Sequence, residues 1–279
     1  VNKILILGRG FIGTHLNNFL NDKNHNVFFA SQDIIDYKSD YKLAKFIRDN
    51  NFYVVINCSG YTGVPNVDAC ELNKDLCWLY NVVAPNTIDK VCSDYNIKCV
   101  HISSGCIYSG YDTEYSEIDI PNFGLYSNVS SFYSKCKHAF ETIFNKNHSA
   151  IFRIRMPFTN TKENKNYLYK ILKYDNLISF KNSFTNVYDL CLFTEKFITE
   201  FYSPGIFNVV NPGPMDAKEV VDIFKKHNKV NPNWNFVDIS DLNIIAGRSN
   251  CVLSTNKIKT MGLELPGSFK SVEDCIKVL

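Results

Sequence analysis

No uninterrupted run of about 18 apolar residues occurs in this sequence, and a helix needs roughly that length to cross a bilayer, so membrane insertion is not expected. Val1 to Gly8 is too short and too soon interrupted to act as a secretory leader. Blocks of one charge are missing too. The 30 basic and 28 acidic residues leave a formal net charge of +2, and the cations are scattered rather than interleaved with aromatics, which argues against nucleic acid. Ten cysteines include no Cys-x-x-Cys pair, so neither a zinc site nor a secreted disulfide framework is expected. No histidine pair has metal-ligand spacing, no metal is called for, and no serine lies in a Gly-x-Ser-x-Gly elbow. Repeats and low-complexity tracts are lacking. These absences together lead us to expect a cytoplasmic protein with a small-molecule partner, one that folds alone.

What is present is a chain of 279 residues, 45% hydrophobic, which can bury a sizeable core. Lys3 to Leu7 is a short apolar run that leads into Gly8-Arg9-Gly10-Phe11-Ile12-Gly13, with a helical pattern through Leu20. Strand, glycine turn and helix start stand in the order a dinucleotide fold requires: glycines permit a tight turn close to a pyrophosphate, and the helix N-terminus offers amides. A second strand, Asn26 to Ala30, ends in Ser31-Gln32-Asp33, so no acid stands directly after it to grip a ribose hydroxyl. With Arg9 placed to meet a 2′-phosphate, NADPH is the expected cofactor. Asp33 leaves NADH open, and Arg9 as a solvated loop side chain is the plainer alternative.

Tyr41 to Asn50 reads as a helix and Tyr53 to Asn57 as a buried strand ending in Cys58-Ser59-Gly60. The turn-rich segment Tyr61 to Asp68 is too polar for core, so ligand contacts are expected from Thr62, Gly63, Val64 and Asn66. A helical stretch carrying Asn81 continues to about Tyr95, and strands follow at Cys99 to Ser103 and Ala150 to Arg155, the latter closed by Met156-Pro157. This alternation predicts an α/β, Rossmann-type, doubly wound parallel sheet with a smaller C-terminal substrate-binding lobe. Residues 1–155 are assigned to the dinucleotide-binding domain and 156–279 mainly to the lobe, with some segments returning to the sheet. Tyr111 to Val129 reads as an irregular flap above the site. Gly205 to Val210 is expected to be a strand and Met215 to His227 a helix.

The stretch from Val100 to Gly110 starts as an apolar β-branched run and breaks into Ser103-Ser104-Gly105-Cys106 at the strand's carboxyl end, where open α/β sheets bind ligands. Downstream, Tyr133 and Lys137 are four residues apart and share one helix face, with Ser131 as candidate cap. An ammonium near a phenol is expected to lower its pKa from about 10 and make it a proton donor for carbonyl reduction, with Ser104 holding the carbonyl. Cys106 points into the same space and is open between a core thiol and an acid–base group for carbon next to a ketone. Lys137 is further expected to touch the nicotinamide ribose. The dinucleotide cradle is assigned to Gly8, Arg9, Gly10, Phe11, Ile12, Gly13, Ser31, Cys58, Ser59, Gly60, Asn81, Tyr133, Lys137 and Met156.

Gly8 to Gly13, Asn57 to Glu71, Ser103 to Tyr108, Ser131 to Lys137, Arg153 to Pro157 and Arg248 to Asn250 together resemble extended short-chain dehydrogenase/reductases that reduce nucleotide-linked 4-keto-6-deoxy sugars. Most similar are the bifunctional UDP-4-keto-6-deoxyglucose 3,5-epimerase/4-reductases of UDP-rhamnose synthesis, relatives of dTDP-4-dehydrorhamnose reductase. The resemblance implies Ser104, Tyr133 and Lys137 as reductase triad, Cys106 as one epimerase residue and Lys170 as its partner. It further implies a UDP-linked 4-keto-6-deoxy sugar held by Thr62, Gly63, Val64, Asn66, Ser104, Gly105, Cys106 and Arg248, and a homodimer. One departure is that only Arg9 separates the first two glycines, where the family usually has two residues. Two other readings stay open: a reductase acting only on an already epimerised dTDP- or UDP-linked sugar, and a reductase-like regulatory subunit without turnover.

Overall fold

The computed structural model describes residues 2–279. Six parallel strands form the central sheet in the spatial order Gly205–Asn208, Ser149–Ile154, Lys98–Ser104, Phe52–Asn57, Lys3–Leu7 and Asn26–Ala30. Period-two alternation explains why both faces are covered. Ile4 and Ile6 turn to one side with Val54 and Ile56, against Leu16 and Leu20 of the Phe11–Asp22 helix and Leu190 and Phe193 of the Val187–Lys196 helix. Leu5, Leu7 and Val55 turn to the other side, against Leu43 and Ile47 of the Asp40–Asn50 helix and Ile88 and Val91 of the Ala84–Asp94 helix. A strand buried on both faces reads as a continuous apolar run, which is the pattern of Ile4 to Leu7.

The chain reverses its winding direction at the Lys3–Leu7 strand, which has Asn26–Ala30 on one side and Phe52–Asn57 on the other. Loops leaving the strand carboxyl ends diverge there and open a crevice. A second core lies beyond the carboxyl edge. It gathers Phe158, Leu168, Phe184, Phe224 and Val272 around a three-stranded sheet of Asn211–Met215, Asn182–Asn186 and Pro157–Phe158.

The start of the segment 111–129 departs from the irregular flap expected of it, while the remainder is irregular. Gly110–Tyr115 is a strand parallel to Cys251–Leu253, with Gly110 N donating to Asn250 O at 2.9 Å. Exposed polar residues such as Asp112 and Thr113 conceal the strand in sequence, because a distant segment supplies its partner. Beyond that strand, residues 116–119 are tied to the sheet's outer edge, whereas Leu125 packs in one cluster with Tyr61, Phe132 and Tyr133 at the crevice. Asn208 N donates to Glu117 Oε1 at 2.9 Å and Tyr108 Oη to Asp119 O at 2.7 Å.

Candidate active site

Register alignment brings four loops to one edge: Leu7 pairs with Asn57, Asn57 with His101 and Ser104 with Ile154. Gly8, with φ of 101°, turns the first loop so tightly that a Cβ would lie 2.6 Å from Ser59 N. On Gly13 a Cβ would lie 2.0 Å from Gly8 O, so helix and turn touch through backbone alone. Gly10 differs: nothing lies within 4 Å of its Cβ position, and it starts the Phe11–Asp22 helix without a side-chain cap. The first-turn amides and the positive end of the helix therefore face open space, which fits a pyrophosphate. Arg9 Nη2 donates to Phe29 O at 3.0 Å, and its guanidinium lies 5.4 Å from the Phe29 ring centroid. Ser31 hydrogen-bonds the carboxylate of Asp33, which holds that carboxyl below its ordinary range, with Arg9 adding to the effect.

Cys58 N donates to Leu7 O at 2.8 Å, and Asn57 Oδ1 accepts from both Ser59 N and Ser59 Oγ, which shapes the second loop. A Cβ on Gly60 would lie 3.1 Å from Asn81 Oδ1 and 3.6 Å from Lys137 Nζ, so glycine keeps these groups accessible to one another. Asn81 sits on a π-helical turn, Leu79–Val83, and its amide nitrogen donates to Tyr61 O and Cys77 O. Its oxygen is buried and unpartnered, a vacancy in the hydrogen bonding that a ribose hydroxyl suits.

Tyr133 and Lys137 lie on the Phe132–Ile143 helix, with Lys137 Nζ 5.6 Å from the Tyr133 ring centroid. Ser131 caps this helix as expected, its Oγ accepting from Ser134 N at 3.0 Å. The sequence reading missed the second anchor: Glu71 Oε1 accepts from Phe132 N at 2.6 Å. The expected lowering of the Tyr133 pKa is also reversed. Burial pushes the phenol well above its ordinary value, and burial likewise lowers Lys137, because both charged forms lose hydration. Tyr133 thus stays protonated at neutral pH, the state a proton donor requires.

Ser104 Oγ accepts from Cys106 N at 3.2 Å, so hydroxyl and thiol share one turn. Cys106 is 8% exposed. Burial pushes its thiol up, while the Ser104 and Ser134 hydroxyls and the charges of Arg155 and Lys137 pull the other way. The Cys106 charge also bears on Tyr133, so both groups occupy one neighbourhood. A Cβ on Gly105 would lie 2.5 Å from Leu253 Cδ1, so a larger residue there would have to displace that side chain.

Around this centre, Met156 adopts φ of 38° where the chain leaves the sheet for the lobe. Lys170 lies on the Tyr167–Lys173 helix, and burial together with the charge of Lys165 lowers its pKa. Lys165 itself was not singled out by sequence reasoning, although its place just before the Asn166 helix cap is a usable signal. Its Nζ donates to Thr62 Oγ1 at 3.0 Å and Gly63 O at 2.8 Å, tying the lobe to the Thr62–Asn66 loop. Val64 is exposed, and Asn66 Oδ1 accepts from Asp68 N at 2.8 Å. Arg248 is not a free cation: it grips Asp68 through two bonds of 2.9 and 3.1 Å, which holds the Asp68 carboxyl below its ordinary range. Among the described residues no cluster of His, Cys, Asp and Glu could hold a metal, and no helix is long and apolar enough to cross a membrane.

The arrangement resembles known proteins over most of its length. A bifunctional dTDP-4-dehydrorhamnose 3,5-epimerase/dTDP-4-dehydrorhamnose reductase of Arabidopsis thaliana is 29% identical over 235 residues, covering 80% of this chain and 75% of its own. A trifunctional UDP-glucose 4,6-dehydratase/UDP-4-keto-6-deoxy-D-glucose 3,5-epimerase/UDP-4-keto-L-rhamnose-reductase of the same plant is 30% identical over 237 residues, and the match spans only 34% of that longer protein. The crystal structure of a UDP-rhamnose synthase from Acanthamoeba polyphaga mimivirus shares the fold with a TM-score of 0.91 at 24% identity, covering 99% of each chain. Solved structures of the same fold include complexes with NADP and with NAD. The model of the family described as RmlD substrate binding domain matches residues 2–279, and the chain belongs to that family.

Proposed function

We propose that this protein reduces the C4 ketone of a nucleotide-linked 4-keto-6-deoxyhexose with NADPH, and that it first epimerises C3 and C5 of the same sugar, converting UDP-4-keto-6-deoxyglucose to UDP-L-rhamnose. The observation that carries this reading is the gathering of a protonated phenol, a lysine, a serine hydroxyl and a thiol at one strand end. The dinucleotide would be held by the Gly8 to Gly13 turn, Arg9, Ser31, Cys58, Ser59, Gly60, Asn81, Lys137 and Met156, and it supplies the hydride. Tyr133 breaks its O–H bond and gives that proton to the C4 oxygen, while Ser104 orients the carbonyl.

Epimerisation uses the acidity the ketone confers on its neighbouring carbons. Cys106 as thiolate takes a proton from carbon, the C–H electron pair passes to the carbonyl oxygen, and Tyr133 and Ser104 hydrogen-bond the resulting enolate. Lys170 is assigned the proton on the opposite face. Thr62, Gly63, Val64, Asn66 and Gly105 would line the sugar pocket, and the Asp68–Arg248 pair would frame the diphosphate end with a charge that Arg248 already shares.

Burial of Cys106 favours a second reading, reduction only of an already epimerised sugar. Incubation of Cys106→Ser with UDP-4-keto-6-deoxyglucose in deuterated buffer separates the two. Under the proposal, deuterium entry at C3 and C5 is lost while the epimerised ketone is still reduced. Unchanged deuterium entry refutes the epimerase assignment, and failure of the wild-type chain to oxidise NADPH with either ketone refutes the reductase.

A further inference from the structure

Arg155 is a buried arginine of a kind different from the other two arginines engaged near the site. Arg153 meets Glu141 at 2.7 Å and Arg248 meets Asp68 at 2.9 Å, but Arg155, only 5% exposed, has no salt bridge among the described residues. Its Nη2 donates to Asn182 Oδ1 and, at 2.9 Å, to Ser249 O, both neutral acceptors, and its Nε is buried without a partner. Burying a guanidinium without a counter-ion is unfavourable, so a fold that keeps one has a use for the field it creates.

The Arg155 stem runs beside the turn that carries Cys106. Arg155 follows Ile154, whose carbonyl accepts from Gly105 N at 3.1 Å. The Arg155 stem lies against Gly105, its Cδ 3.2 Å from where a Gly105 Cβ would be. Cys106 is the next residue. The Ser104 and Ser134 hydroxyls and the charges of Arg155 and Lys137 each act to lower the pKa of its thiol, and its own charge bears on the Tyr133 phenol. Of the two cations, Lys137 is weakened by burial, whereas a guanidinium stays charged across the accessible pH range.

We propose that Arg155 is the fixed counter-charge of the Cys106 thiolate, a positioning residue that makes this thiol a usable base in proton exchange at the sugar. The proposal rests on the epimerase reading of Cys106 for its purpose, but its electrostatic content is measurable without substrate. Two variants remove the field by different routes. Arg155→Gln deletes the charge. Asn182→Asp is nearly isosteric and gives Arg155 the carboxylate it lacks.

The rate of iodoacetamide labelling of the Cys106 peptide, followed by mass spectrometry from pH 6 to 10, reports the thiolate fraction. Both variants are expected to move the midpoint upward, with labelling at pH 7 lowered about tenfold, and Arg155→Lys to fall between them and wild type. Deuterium entry at C3 and C5 should fall by a similar factor. If Arg155→Gln fails to fold, Asn182→Asp decides alone. A folded variant whose Cys106 midpoint equals that of wild type overturns the proposal. A shifted midpoint supports it whatever Cys106→Ser shows, since loss of that serine result bears only on the epimerase reading.

Discussion

Glu71 Oε1 accepts a 2.6 Å hydrogen bond from Phe132 N, joining the short Asp68–Leu72 helix to the first turn of the helix that carries Tyr133 and Lys137. An anion at a helix N-terminus satisfies an orphan amide and complements the helix dipole. Glu71→Ala should lower stability by about 1 kcal/mol. Because Tyr133 is the next residue, turnover should fall as well, more in kcat than in KM. Urea unfolding with steady-state kinetics checks this, and a variant with normal kcat would mean that the Ser131 cap alone positions the phenol.

Two glycines of the first loop should respond differently to alanine. Gly13→Ala forces a Cβ to within 2.0 Å of Gly8 O and should destabilise the fold by about 1–3 kcal/mol. At Gly10 the same change meets no atom within 4 Å, so stability should stay within about 0.5 kcal/mol of wild type while dinucleotide binding weakens. NADPH fluorescence titration beside thermal melts separates the two effects. Undiminished NADPH binding by Gly10→Ala would place the pyrophosphate elsewhere.

The Asp68–Arg248 bridge gives a pH-dependent contribution to stability. Asp68 has a folded pKa below its ordinary 3.8, so its contribution is fully present above that value and is lost as pH falls through the folded one. Asp68→Asn should cost about 1 kcal/mol at pH 7. The gap between variant and wild type should narrow only in strongly acidic buffer. A gap that closes already near neutrality would point to some other titrating group.

Reduction and proton exchange should part company as pH rises. Burial raises the Cys106 thiol above its ordinary 9.0, so its thiolate fraction climbs roughly tenfold per unit between pH 7 and 9. Deuterium entry without NADPH should climb with it in wild type, and not in Cys106→Ser. Tyr133 keeps its proton over that range, so reduction should not accelerate, and it should decline on the alkaline side as Lys137, whose pKa is lowered, loses its charge. Exchange that is flat with pH would remove Cys106 from the role of base.

Much of this protein was legible in the sequence because the relevant geometry is local. A glycine turn between an apolar run and a helix, a serine cap at Ser131, and a tyrosine and lysine four residues apart are each encoded within a few positions. Period-two alternation and helical periodicity in the apolar positions likewise announce a doubly wound sheet. What only the tertiary structure decided depends on residues far apart in the chain. Glu71 meets Phe132, Lys165 meets Thr62, Arg248 meets Asp68, and Gly110–Tyr115 becomes a strand only because Cys251–Leu253 lies beside it. The direction of the Tyr133 shift belongs there too. Spacing placed an ammonium near the phenol, but how much water folding removes from both is a property of the assembled core, and this desolvation leads the shift of each.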